Sequence, residues 1–194
     1  MSIDEGLLRQ KVKTDERFFI ELCLNVLDKK TNQRVPFKFN RAQAHYDAAR
    51  SQYDMILKAR KMGFSSEIIA SDIWACAFQR DQHAVLLAHD MDSTQKMLQQ
   101  RVLPMLASSV YPIRHEPRQD GVIFPDTNSR YYIGTAGTKK FGRGSDVTRY
   151  HLSEYAHWVN PELITGIEEA CIDGAVGRIE TTANGTNFFY LDWK

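Results

Sequence analysis

Between Lys58 and Ala70 the sequence KARKMGFSSEIIA sets three cations, one glycine and two hydroxyls ahead of an apolar helix-forming run. Those residue types can hold a phosphate. Backbone amides at a helix N-terminus point at the anion, the helix dipole favours its charge, and a hydroxyl can ligate magnesium. Gly63 supplies the turn, with Met62 before it. Ser65 stands where the G-x-x-x-x-G-K-[ST] loop places its serine or threonine, and Ser66 follows. The pattern fails twice, because Lys58 replaces the first glycine and Phe64 replaces the lysine. The missing charge falls to Lys58, Arg60 or Lys61, among which the sequence does not choose. Alone the signal is weak, since a βα turn with surface cations has the same composition.

A second stretch, YHLSEYAHW (150–158), offers Glu154 at a strand end. A carboxylate placed so can orient or deprotonate an attacking water. The position before it, often aspartate for the metal, is Ser153, which would act weakly or through water. His151, Glu154 and His157 are spaced by three and would share a helical face as a metal cluster. On a strand that spacing sends neighbours to opposite faces, so the histidines read better as supporting residues. A third stretch, ETTANG, presents Thr181, Thr182, Ala183 and Asn184 at a strand end, where hydroxyls and an amide would lie near a terminal phosphate. A plain turn at Asn184-Gly185 is the simpler alternative.

Residues so far apart meet only if a sheet collects them. The apolar runs DMILKA and HAVLLAHD read as buried strands, each followed by an amphipathic helix, SSEIIASDIWACAFQR and MDSTQKMLQQRVLPML. GVIFP, SRYYIGTAG and VTRYHLSE read as further strands, NPELITGIEEACID as a helix with Asn160 capping and Pro161 first, and GRIETTANG as a last strand. Upstream, DEGLLRQKVKTDERFFIELCLNVLDKK reads as one or two amphipathic helices, and Asn40 as the cap of RAQAHYDAARSQ. Strands alternating with helices predict an α/β domain with a mainly parallel sheet. In such sheets ligands bind at the carboxyl ends of the strands, where all three stretches fall. Trp74, Phe78 and Met55 are expected in the core, and Arg101 on an exposed helix face.

In order and spacing, from Phe37 to Asn184, these segments resemble the ATPase domain of the large terminase subunit, the DNA-packaging motor of tailed bacteriophages. KARKMGFSS is similar to that family's variant Walker A loop, YHLSEYAHW to its Walker B segment and TTANG to its coupling motif. FNRAQAHYDAAR resembles its adenine-recognition segment, which makes Gln43 the implied base reader. TKKFGRGSD resembles the loop that carries an arginine before Walker B, which makes Arg143 an implied finger toward a neighbouring subunit's nucleotide. Lys139 and Lys140 flank that loop.

The resemblance implies a P-loop NTPase-type three-layer fold over 37–194 with an N-terminal helical extension over 1–36. It implies ATP as substrate, and Mg2+ on Ser65 and, through water, Ser153. The implied partners are double-stranded DNA, the portal protein, the small terminase subunit and further copies of the chain. These copies would form a ring on the procapsid in the host cytoplasm, the chain being monomeric in isolation. Because the chain stops after NFFYLDWK, the expectation is a single ATPase domain without the family's lid and nuclease domain. A helicase-like nucleic-acid ATPase, or an interaction module with a decayed nucleotide site, are the alternatives.

Composition agrees with a folded domain. The 194 residues are 43% hydrophobic and 25% charged, with a net charge of +1, so bulk charge does not argue for a nucleic-acid partner. Three dispersed cysteines, Cys23, Cys76 and Cys171, suggest no disulfide framework. No apolar run approaches the ~18–20 residues that a membrane span needs.

Overall fold

The structure, a computed structural model, describes residues 5–28, 31–135 and 146–193. Arg143, Lys139 and Lys140 lie outside the described residues. The chain opens with two helices, α1 (Glu5–Thr14) and α2 (Glu16–Cys23), and a two-stranded hairpin, β1 (Asn25–Asp28) and β2 (Gln33–Pro36). There follow α3 (Arg41–Ala49), β3 (Tyr53–Leu57), α4 (Phe64–Phe78), β4 (His83–Ala88) and α5 (Met91–Met97). A π-helical turn, Leu98–Val102, joins α5 to α6 (Leu103–Ala107). Then come β5 (Glu116–Arg118), β6 (Gly121–Phe124), β7 (Ser129–Thr135), β8 (Val147–Ser153), α7 (Leu163–Glu168), β9 (Cys171–Thr181) and α8 (Phe188–Trp193).

Seven strands form the central sheet in the order β3-β9-β8-β4-β7-β6-β5. The first five run parallel, and β6 and β5 pair antiparallel at one edge. Alternation along β4 shows how the layers are held. Ala84 and Leu86 enter a core built with α1, α2, α4 and α6, whereas Val85 and Leu87 enter a second core with Tyr155, Trp158, Ile167 and Phe189. A strand covered on both faces must be apolar throughout, as HAVLLA is. The α/β three-layer architecture with a mainly parallel sheet is therefore present.

Several local expectations change. NVLD, expected as helix, is strand β1. Asn32 takes a left-handed conformation (φ 55°) in the turn, and the hairpin registers Asn25 with Pro36. The first 36 residues are thus helical only to Cys23, and Val12, Phe19 and Ile20 share one core with Ile69 and Ile73 of α4. The helix expected from Asn160 begins at Leu163. Asn160 and Pro161 form turns whose carbonyls take the Leu163 and Ile164 amides, and Cys171 onward is already β9. The helix holding Pro104 continues through it, because the π-helical turn re-pairs the ladder where proline has no N–H to give. Trp74, Phe78 and Met55 are half-buried against the two cores. Among the described residues no helix is long and apolar enough to cross a membrane.

Candidate functional site

The order β3-β9-β8 brings all three chemistry-bearing stretches to one sheet edge. β9, which ends in Thr181, lies between the strand that feeds the glycine loop and the strand that feeds Glu154. Gly63 takes φ +85°, a left-handed conformation that glycine adopts without a Cβ penalty, and its carbonyl receives the Ser66 and Glu67 amides as α4 begins. The residues around it line a cleft of about 1010 Å³, with Lys58, Ser65, Ser66, Arg101, Glu154, His157 and Thr182 among its walls.

Three of the expected cations and hydroxyls sort themselves by burial. Arg60 and Lys61 are exposed, with Lys61 at φ 65°, and Lys58 is held inside with only 6% of its side chain accessible. Its Nζ donates to Glu154 Oε1 at 3.1 Å and stands 2.8 Å from Glu180 Oε2. The second contact pairs the ammonium with a carboxylate that is itself fully buried. Burial pulls the Lys58 pKa down, and Glu180 and then Glu154 overcome it and hold the ammonium above its ordinary value.

Glu180 was not singled out in the sequence. It is fully buried, and its Oε1 accepts from Ser65 Oγ at 2.8 Å and Ser153 Oγ at 2.8 Å, with His151 Nε2 at 3.4 Å. Burial would raise its pKa, and the His151 ring and Lys58 bring it down to about 2. Its signal in the sequence is an acidic residue inside the apolar stretch of a strand, next to the TTANG segment. Arg101 was expected on an exposed face and is instead half-buried on the cleft wall. Burial lowers its pKa, while Glu180 and Glu154 pull the other way.

Glu154 has φ 52° and ψ 45°, a left-handed turn that is uncommon outside glycine and ends β8. Its Oε2 accepts from the Thr182 amide at 3.1 Å and from Thr182 Oγ1 at 3.0 Å, which fixes the carboxylate at the cleft. The Thr181–Asn184 segment is strapped to the residues after Glu154 by neutral bonds. Thr181 Oγ1 accepts the Ala156 amide at 3.0 Å, and Asn184 Nδ2 donates to the Ala156 carbonyl at 2.9 Å. Ala183 is exposed beside them.

Gln43 is 3% exposed and engaged within the protein: its Oε1 accepts the Asn40 amide at 3.0 Å in a capping box, and its Nε2 donates to the Gly63 carbonyl at 3.1 Å. Here it holds the glycine loop, with one amide hydrogen left over. Phe64, where a phosphate loop has lysine, is buried edge-on to Tyr46 at 5.6 Å and packs with Ile56 and Ile68. Met62 packs against that cluster. His151 and His157 do not join Glu154 in a metal cluster: among the described residues no three His, Cys, Asp or Glu side chains group to hold an ion. His151 faces Glu180, and His157 reaches Thr182 Oγ1 at 3.2 Å. Around the glycine loop the cleft offers the Ser65, Ser66 and Thr182 hydroxyls and the Glu154 carboxylate, a donor set that suits a cation arriving with phosphate oxygens and water rather than a resident ion.

The three-layer α/β fold is one shared with solved large terminase structures. The described structure is similar to the large terminase of bacteriophage HK97, with TM-score 0.68 and 17% identity over 90% of this chain and 38% of that one. It is also similar to the large terminase ATPase domain of Thermus phage P74-26, with TM-score 0.65 and 14% identity over 80% of this chain and 69% of that one. A DEAD box protein from Methanococcus jannaschii follows at TM-score 0.51 and 16% identity, over 73% of this chain and 42% of that one. The chain thus spans about two fifths of the HK97 protein's length. No protein-family model matches the sequence, and no curated protein matches it.

Proposed function

We propose that this chain is the ATP-hydrolysing motor domain of a large terminase subunit, acting in the translocation of double-stranded DNA into a procapsid. The observation that carries this reading is the convergence at one sheet edge of the Gly63 loop, Lys58, Glu154 and the Thr181–Asn184 segment, on a fold shared with terminase ATPase domains. The likeness to a DEAD box protein makes a helicase-like ATPase the second reading, and the lower TM-score ranks it there.

In this reading the phosphates lie on the Gly63–Ser66 loop at the start of α4, on the amides ahead of Ser66, whose own amide is given to the Gly63 carbonyl, and Lys58 exchanges its carboxylate partners for phosphate oxygens. Exposed Arg60 and Lys61 then add to the field without a fixed contact. Ser65 would hold a bound Mg2+, which would supply neutralisation of phosphate charge. Glu154, freed at Oε1 and still held at Oε2 by Thr182, takes a proton from the attacking water as the water oxygen bonds to the γ-phosphorus and the bond to the departing ADP oxygen breaks. Thr182 bonds the carboxylate that feels the γ-phosphate, and Thr181 and Asn184 bond the backbone that follows it, so hydrolysis can pull on the coupling segment. Gln43 reads the base with its remaining amide hydrogen. Arg143 serves a neighbouring copy in the ring, a role that rests on the resemblance alone, as do the portal and small-subunit partners. DNA is held by salt-sensitive phosphate contacts.

Calorimetric titration with ATP, with and without magnesium, tests the site. Binding that magnesium strengthens and that Ser65→Ala weakens is expected. Binding indifferent to both would overturn the assignment of KARKMGFSS as a phosphate loop.

A further inference from the structure

We infer that the carboxylate anchoring the metal-ligating serine of this site is carried by β9, as Glu180, in place of an acidic residue at position 153 of β8. The inference rests on the nucleotide-site reading above and deepens it. Phosphate loops of this type hold their cation between the loop's serine or threonine and an aspartate on a nearby strand. Here the β8 position just before Glu154 is Ser153, and its register partner on β9 is Glu180. The hydroxyl and the carboxylate have changed places across one strand pair.

The geometry makes the exchange workable. β9 is sandwiched between β3 and β8, so its end lies closer than β8 to the loop that follows β3. Ser65 Oγ gives its one hydrogen to Glu180 Oε1 at 2.8 Å, which leaves the serine's lone pairs for the cleft it lines. Ser153 donates to the same oxygen at 2.8 Å and so holds the carboxylate from the other side. Glu180 is fully buried, and an ionised carboxylate there is costly unless its surroundings compensate it. They do so unevenly: Oε1 takes both serine hydroxyls, whereas Lys58 Nζ, 2.8 Å away, is the partner of Oε2 among the described residues. When Lys58 turns to phosphate, Glu180 is left negative behind Ser65, whose hydroxyl it holds. Glu180 does not line the cleft, so it acts through Ser65 and is a positioning residue. A purely structural Lys58–Glu180 pair would leave metal dependence untouched.

The test uses Mn2+, which reports its own binding by electron paramagnetic resonance, and ADP binding followed by calorimetry in EDTA and in Mn2+. Wild type, Glu180→Gln and the double variant Ser153→Asp/Glu180→Ser are compared. Glu180→Gln is expected to retain ADP binding in EDTA, at an affinity that serves as its own reference, while losing roughly 10–100-fold in Mn2+ affinity, the scale of removing a partner that orients a metal ligand. The double variant, which keeps one buried carboxylate and one hydroxyl, is expected to regain most of that loss. It also keeps the proposal falsifiable if Glu180→Gln folds poorly. Wild-type metal dependence in Glu180→Gln would overturn the proposal, as would a folded double variant that binds Mn2+ no better than Glu180→Gln. A wild type that binds ADP under neither condition overturns the nucleotide-site reading itself, an outcome distinct from both.

Discussion

Strand β8 carries a buried charge network at each end, and the two are built differently. Near its start, Arg149 donates from Nε to Asp72 Oδ1 at 2.9 Å and from a terminal nitrogen to Ser71 Oγ at 2.8 Å, and Tyr131 OH donates to Asp72 Oδ2 at 3.1 Å. Each carboxylate oxygen has a hydrogen-bond donor, and the group pins α4 against β7 and β8. Just past the strand's other end, one lysine is shared by two carboxylates, and the assembly opens on the cleft. A closed network specifies packing. An open one holds charges that a ligand can rearrange, and a lysine shared between carboxylates at a cleft is the physical mark of a site.

Breaking the closed network should have the largest effect. Asp72→Ala leaves Arg149 buried without its counter-charge and Tyr131 without an acceptor. Unfolding free energy should fall by about 3–5 kcal/mol in urea titrations, the range for removing one partner of a buried pair. A loss below about 1 kcal/mol would mean that water reaches Arg149 readily and that the two networks differ less than their bonding implies.

The open network should respond in the opposite sense. Glu154→Gln keeps the shape and the Thr182 contacts but cannot take a proton. Single-turnover phosphate release should drop on the order of 10²-fold or more, equivalent to about 3 kcal/mol in barrier. Stability should change by about 1 kcal/mol or less, since Glu154 is 29% exposed. Retained turnover would remove Glu154 from the role proposed for it.

How far the sequence could anticipate this difference depends on what each signal reports. The apolar run that became β4 was legible because burial on both faces demands continuous apolar residues, and the helix after Gly63 because an apolar run follows a glycine turn. Asn40 was legible as a cap because its chemistry is local. The hairpin β1–β2 was not, because NVLD is short and continues a helical pattern of charge. Glu154 and Thr182 were legible as types at strand ends, but their bond depends on β9 lying beside β8, a long-range pairing that no local pattern encodes. Lys58 could not be chosen over Arg60 and Lys61 for the same reason: only the fold shows which of the three faces two carboxylates. Glu180 was passed over because a strand interior is where a carboxylate is least expected.

Glu67 sharpens the comparison, being a buried carboxylate that belongs to neither network. It sits in the first turn of α4 at 2% exposure, and neither oxygen has a hydrogen-bond partner among the described residues. The nearest cation of use, Arg50, is committed to both oxygens of Glu16 at 2.7 and 2.9 Å. Burial first, and then Asp47 and Glu16, push the Glu67 pKa from 4.5 to about 8 against the opposing pull of Arg50 and Arg17. The folded protein therefore keeps a proton on Glu67 between pH about 4.5 and 8 that the unfolded chain releases. Within that window stability falls as pH rises, by at most about 1.4 kcal/mol per pH unit. Glu180, whose pKa is depressed, works the other way, and its contribution is lost only as pH falls from about 4.5 toward 2. The two windows do not overlap, but burial lowers the His83 pKa from 6.5 within the Glu67 window, so Glu67 is isolated by comparison with a variant that cannot ionise there. Glu67→Gln preserves shape and cannot ionise. The variant should be more stable than wild type at pH 8, with the gap closing steadily by pH 5 in urea titrations at each pH. A gap that stays constant with pH would show that Glu67 is ionised and compensated in the folded protein, and would place it with the closed network instead.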